Sequence, residues 1–358
     1  MKVLVVSTYV LPTPPTDKDG KPSYGGIERV VWTHATELAN RGIDVTVAVT
    51  KGSVNDNKKI KVIEGPEPTW TFTRDGGTIF YDTIAHLMDD YDVIHDFSHL
   101  HFRARKRDNA STLNMMWVNG TDRIPIPMYN NIALSKWQSN VIAKIYRVRA
   151  DPLGMSMDEN FFKPISERKV EDYIVFLSRF APEKGVHHAI EAAHTAGTPI
   201  YILGDLPPAV ADRSGSSSLH DKYQQEYFKK IRGLANKYKE VVFVGSVSQK
   251  EKVRYLQRAK ATILPARMAD PHSLVVIEST LCGTPVIGIN ENAYPEINPH
   301  GITGYNMNNE SLLHIAINNI HRLDRKIVRE YALQHYSHSK VIPVYINRYK
   351  QVMNGYRW

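Results

Sequence analysis

DPHSLVVIESTLCGTPVIG, residues 270–288, reads as a helix start running into a buried strand. Pro271 suits a first helical turn, where its missing N–H is not needed, and Ser273 suits a cap. The segment 273–282 is expected to be helical, and TPVIGI after it is a strand. One residue is out of place. The neighbours of Glu278 three and four positions away are Leu274, Val275, Leu281 and Cys282. All four are apolar, so the carboxylate lies on the face to be buried. Burying an unpaired carboxylate costs several kcal/mol or more, by order of magnitude. Two partners would relieve it: hydroxyls that donate to both oxygens, or a core lysine or arginine. The free N–H groups of Ser273, Leu274 and Val275 make the helix start an anion site suited to a diphosphate. Glu278 lies about 7.5 Å further along the axis, a diphosphate-to-ribose reach.

Working outward, the second half alternates strand and helix. DYIVFLS, TPIYILG, EVVFVG, ATILPA and TPVIGI read as strands, with helices near 184–196, 221–238, 248–258 and 273–282. That alternation specifies a doubly wound parallel sheet. The first half does the same. KVLVVS is a fully buried strand, and a Pro/Gly/Asp-rich loop runs from Tyr9 to Tyr24. GGIERVVWTHATELANRG has helical spacing, ended at Gly42, and DVTVAVT is the next strand. DVIHDF, LNMMWVNG and NNIALS add short strands, and KWQSNVIAKIY a helix. The join falls near 153–169, and SKVIPVYINRYKQVMNGYRW ends the chain as an amphipathic helix. Residues 212–221 form a polar insertion.

Composition narrows the classes. At 358 residues the chain is too long for one ordinary core. No apolar run reaches the length of a membrane span, and the apolar start is too short for a secretory signal, so a cytoplasmic location is expected. The single Cys282 excludes an internal disulfide framework and a multi-cysteine zinc site. A formal charge of +8 favours an anionic partner.

Further residues carry chemistry. Arg179 and Lys184, in LSRFAPEKG, leave a strand end at the binding edge of the second sheet and suit a diphosphate leaving group; solvated surface charges are the plainer reading. The diglycine Gly25–Gly26 precedes a helix and permits close backbone approach, or simply makes a turn. Without a G-x-G-x-x-G or a P-loop, a dinucleotide cofactor and ATP hydrolysis lose ground. His95, His99 and His101 cluster, but no H-E-x-x-H or D-x-D supports a metal; His95 is a candidate for substrate contact at a strand end, or a structural histidine. RARKR (103–107) is basic enough for a membrane surface or nucleic acid.

GGIERVVWTHATELANRGIDVTV, YDVIHDF, LSRFAPEKGVHHAIEAA and DPHSLVVIESTLCGTPVIG, in this order, resemble the retaining sugar-nucleotide glycosyltransferases of family four, glycosyl transferases group 1. The resemblance implies the GT-B fold: two Rossmann-like doubly wound parallel-sheet domains facing a cleft. It implies residues 1–160 as an acceptor-side domain, 161–337 as a nucleotide-sugar-binding domain, and 338–358 as a helix packing back on the first. It implies retaining hexosyl transfer from a nucleoside diphosphate sugar to a sugar, lipid-linked or other hydroxyl acceptor, without metal or cofactor. Glu278 would bind the ribose. Arg179, Lys184 and the backbone of Ser273, Leu274 and Val275 would hold the diphosphate. Gly25 and Gly26 would approach the donor, and Gly245 would lie near the base. Asp270, where the family carries glutamate, would meet the sugar, and His95 stands in for the family's histidine, since Asn119 occupies WVNGT. His272 and Ser273 replace the usual Phe-Gly, and LGMS (153–156) the usual NGVD. The rival readings are a sugar-nucleotide epimerase of the same fold, a nucleic-acid-modifying glucosyltransferase using Arg103 to Arg107, and a nucleotide-sugar-binding protein without turnover.

Overall fold

Continuous apolar runs form the centres of two parallel sheets. In the computed structural model the described residues are 1–15, 25–70, 74–99, 112–117, 129–166, 169–204, 219–267 and 270–358. The basic stretch 103–107, His101, Asn119 and most of the insertion 212–221 lie outside them. The chain divides into a first unit, Met1–Asp158 with His335–Trp358, and a second, Glu159–Gln334.

In the first unit, β1 (Lys2–Val6), β2 (Asp44–Val49), β3 (Ile60–Glu64), β4 (Val93–Asp96), β5 (Thr112–Met115), β6 (Asn131–Ala133) and β7 (Ala150–Pro152) pair in parallel in the order β3-β2-β1-β4-β5-β6-β7. The three valines and one leucine of Lys2–Val6 explain its place at the centre: Val3, Leu4 and Val5 are wholly buried because both faces of the strand are covered. Helix α1 (Gly26–Asn40) buries Val30, Val31, Ala35 and Leu38. It ends at Gly42, whose φ of 82° lets the N–H of Ile43 return to the Leu38 carbonyl. Helices α2 (Arg74–Ile84) and α3 (Lys136–Tyr146) follow, α3 capped by the Ser135 hydroxyl accepting from the Gln138 N–H. The C-terminal helix, His338–Met353, packs on α1, β4 and β5 of this unit.

The second unit repeats the plan with β8 (Glu171–Leu177), β9 (Ile200–Leu203), β10 (Val241–Gly245), β11 (Ala259–Leu264), β12 (Val286–Ile289) and β13 (Gly304–Met307), in parallel order β10-β9-β8-β11-β12-β13. Its helices include α4 (Val186–Thr195), α5 (Leu219–Lys237), α6 (Gln249–Arg258) and α7 (Leu274–Leu281). In each sheet the winding reverses beside the central strand, between β1 and β4 and between β8 and β11. Ligands of doubly wound sheets bind outside the strand ends at that reversal.

Candidate functional site

The loops that leave β8 and β11 meet at the reversal of the second sheet. The first carries Arg179 and Lys184, the second Asp270 and Ser273. Gly185 stitches them together: at φ 73° it turns the chain, and a Cβ there would collide with the Pro265 carbonyl. The Arg267 N–H donates to the Glu183 carbonyl across the same seam, 3.1 Å. This brings the Lys184 ammonium to 3.3 Å from Asp270 Oδ2, with side chains 13% and 17% exposed. Asp270 Oδ1 in turn accepts the His272 N–H, 3.2 Å. A lysine ammonium has three donors, and one is used here.

Arg179 is half exposed and lies 3.2 Å from Glu183, four positions on in the same loop. Ser273 sits at the N-cap of α7 and is buried, with no side-chain cap bond, while Leu274 and Val275 are half-buried at the first turn. Burial pushes the His272 imidazole down to about 4, so it is neutral near pH 7. Gly245 ends β10 at φ 85°, and its carbonyl accepts the Gly204 N–H, 3.0 Å. At the rim, Arg267 binds Glu310 and Glu291, and its guanidinium holds the Glu310 carboxyl down to about 2.

Glu278 is 2% exposed, on the buried face its apolar neighbours require. Of the two partners left open by the sequence, the lysine is there: Lys252 Nζ lies 2.5 Å from Glu278 Oε1. Lys252 stands in the second turn of α6, fixed by a reciprocal cap between Ser248 and Glu251. Its ammonium lies 5.4 Å from the centre of the Phe162 ring. The sequence held a signal for it, since Ser248-x-x-Glu251 marks a helix start and puts Lys252 beside Tyr255 and Leu256.

His95 requires a correction. It is wholly buried inside the first unit, so in this arrangement it has no surface with which to touch a substrate. Its Nδ1 lies 2.8 Å from the Tyr349 hydroxyl, which lies 2.7 Å from His34 Nε2. A phenol has one proton, so it donates to one imidazole and accepts from the other. Burial pushes His34 down to about 3 and His95 well below the usual histidine range. The structural reading of His95 is the one the packing favours: it fastens the C-terminal helix.

Gly25 and Gly26 open α1 as expected, and a Cβ on Gly25 would fall 2.5 Å from Pro15 Cβ and 2.8 Å from Glu28 Oε2. Glu28 is buried and takes a bond from the Thr8 hydroxyl; burial raises its carboxyl above the usual value. Glu28 is not among the residues singled out from the sequence. Among the described residues no group of three or more His, Cys, Asp or Glu could hold a metal ion.

Residues 157–326, nearly all of the second unit, match the family described as glycosyl transferases group 1. That match covers 170 of the 358 residues, just under half of the chain. The chain is 28% identical over 186 residues to an uncharacterised 41.2 kDa protein in the cps region of Klebsiella pneumoniae, covering 49% of this chain and 46% of that one. The chain therefore spans about half the length of this curated relative. Among solved structures it is similar to a sucrose-phosphate synthase from Thermosynechococcus elongatus, at TM-score 0.76 and 16% identity over 99% of this chain and 100% of that one. It is also similar to HepE of Anabaena in complex with UDP and glucose, at TM-score 0.69 and 17% identity over 99% of both chains. These likenesses give this chain the GT-B fold of two parallel-sheet α/β domains. No helix among its described residues is long and apolar enough to cross a membrane.

Proposed function

We propose that the protein transfers a hexose from a nucleoside diphosphate sugar to an acceptor hydroxyl with retention, using side-chain cations and no metal. The observation that carries this reading is the Lys184–Asp270 pair at the sheet reversal, beside the N-terminus of α7. A cation with two unused donors, next to outward N–H groups, suits a diphosphate. Asp270 holds Lys184 in place and offers a carboxylate to a sugar hydroxyl. Arg179, on the loop out of β8, adds a second cation from the solvent side. The likeness to HepE, solved with UDP and glucose, makes a UDP-sugar the first donor to try.

Chemically, the bond from the sugar C1 to the diphosphate oxygen breaks as the acceptor oxygen bonds C1 on the same face. The acceptor proton passes to the departing phosphate. Charge grows on the diphosphate as this happens, and preorganised cations stabilise it more than they stabilise the bound donor. No protein nucleophile is needed. Gly245 gives the backbone room near the donor, and the acceptor is a sugar, a lipid-linked sugar or another hydroxyl compound.

A panel of UDP-, GDP- and ADP-sugars tests the reading by thermal shift, because a ligand that binds only the folded state raises its melting temperature. The stabilising donor is then incubated with hydroxyl acceptors, and the anomeric configuration of the product is read by proton NMR. A melting temperature moved by none of them overturns the donor assignment. An inverted product overturns retention, and a converted donor without acceptor points to an epimerase.

A further inference from the structure

The Lys252–Glu278 pair satisfies only half of the carboxylate. Oε1 is taken by the ammonium, while Oε2 has no hydrogen-bond partner among the described residues. Nor is Oε2 one of the enclosed polar atoms left without a partner, so it still reaches solvent. A pair whose work is packing alone has no need to keep one oxygen in reach of solvent on a residue otherwise 2% exposed. The geometry is also rigid. Lys252 rides on a helix with both ends of its capping box made, and Glu278 on a helix with Val276, Ile277 and Leu281 wholly buried beside it.

We propose that Lys252 is a positioning residue: it holds the Glu278 carboxylate by Oε1 and turns Oε2 outward to accept from one ribose hydroxyl of the donor. The inference rests on the nucleotide-sugar reading above. Without the ammonium, the buried carboxyl would swing or take up a proton, and its preference for a hydroxyl donor would fade. With an arginine in its place, the planar fork would engage both oxygens and use up the outward one. Charge and burial would be kept, but ribose recognition would be lost. That outcome separates positioning from plain structural support.

The test compares binding of UDP, GDP and ADP with their 2′-deoxy and 3′-deoxy counterparts by titration calorimetry, for the parent chain, Lys252→Arg and Lys252→Gln. Melting temperatures show which variants are folded, and two replacements are read so that misfolding of one leaves the other. The parent should prefer the ribonucleotide over at least one deoxy form by roughly 10-fold or more. In a folded Lys252 variant this ratio should fall towards one, while inorganic pyrophosphate binds as in the parent. A variant that keeps the ratio overturns the inference, and so does a parent that shows no ratio or variants that both fail to fold. If none of the three ribonucleotides binds the parent, the donor reading itself fails and takes the inference with it.

Discussion

At the reversal of the first sheet, β4 carries His95, wholly buried and bonded to a tyrosine that lies 254 positions away in sequence. At the same place in the second sheet, the loop after β11 carries Asp270, paired with Lys184 and still partly exposed. The strand order is the same, and the chemistry is opposite. The first unit fills its centre with neutral imidazoles and a phenol; the second arranges opposite charges in pairs. Topology marks where a ligand can bind, and the local supply of side chains decides whether the place stays open. A terminal helix covers the first sheet at β4, and neutral groups lose little there. Paired ions tolerate partial burial in the second and keep donors in reserve.

The harshest way to break the contrast is to unpair one ion. Lys252→Met should cost about 3–5 kcal/mol of stability by leaving Glu278 buried and alone, whereas Lys252→Met with Glu278→Leu should recover most of it. Chemical denaturation of both variants checks this; an equal loss in the two would show that the charges matter less than the packing. Next in size, Lys184→Ala should lower turnover by roughly 10²-fold at saturating donor with little change in melting temperature. A parent-like turnover would remove Lys184 from the leaving-group role.

Tyr349→Phe tests the neutral centre. It strips the shared hydroxyl from two buried imidazoles and should cost on the order of 1–3 kcal/mol, read by urea unfolding. The pH dependence follows from the same groups. His34 and His95 have their folded values depressed by burial, His34 to about 3 and His95 well below the usual histidine range, so below about pH 6.5 the unfolded chain binds more protons. Their contribution is whole above pH 6.5 and is lost as pH falls, by about 1.4 kcal/mol per pH unit for each fully suppressed histidine. Replacing both with glutamine should flatten that slope; an unchanged slope would place the acid sensitivity elsewhere, with His187 and His272 of the second unit next in line. The smallest effect belongs to the rim: Glu291→Gln, which loses an exposed bond to Arg267, should move stability by about 0–1 kcal/mol.

The apolar strands and amphipathic helices were legible because burial leaves its period in the sequence. Lys2–Val6 and the helix at 274–281 could be read one residue at a time. What escaped was short, polar or edge-lying. Gly304–Met307 alternates burial at the margin of its sheet and carries Asn306, which bonds Asn298. Ala150–Pro152 is three residues long, and Ile60–Glu64 is a half-exposed edge. Arg325–Tyr336 was missed although Arg325 reaches the carbonyls of Ala259 and Gln257. At the site, the sequence located Glu278 and asked the right question of it, since the apolar neighbours are local. It could not choose the answer, because Lys252 comes from another helix. For the same reason His95 looked available: nothing near it in sequence announces Tyr349.

The first unit is assembled from both ends of the chain, and a ribosome makes those ends at different times. Residues 1–158 emerge with β4 and α1 complete but without the helix that supplies Tyr349. The second unit is made next, which at roughly 5–20 residues per second takes on the order of 10–35 s. Throughout that interval His34 and His95 face a site with no phenol in it, and the surface of α1, β4 and β5 that later receives Val341, Ile342, Tyr345 and Val352 stands uncovered. A chain that stops just after Gln334 would therefore carry every residue of the second unit and still leave the first without the helix that closes it.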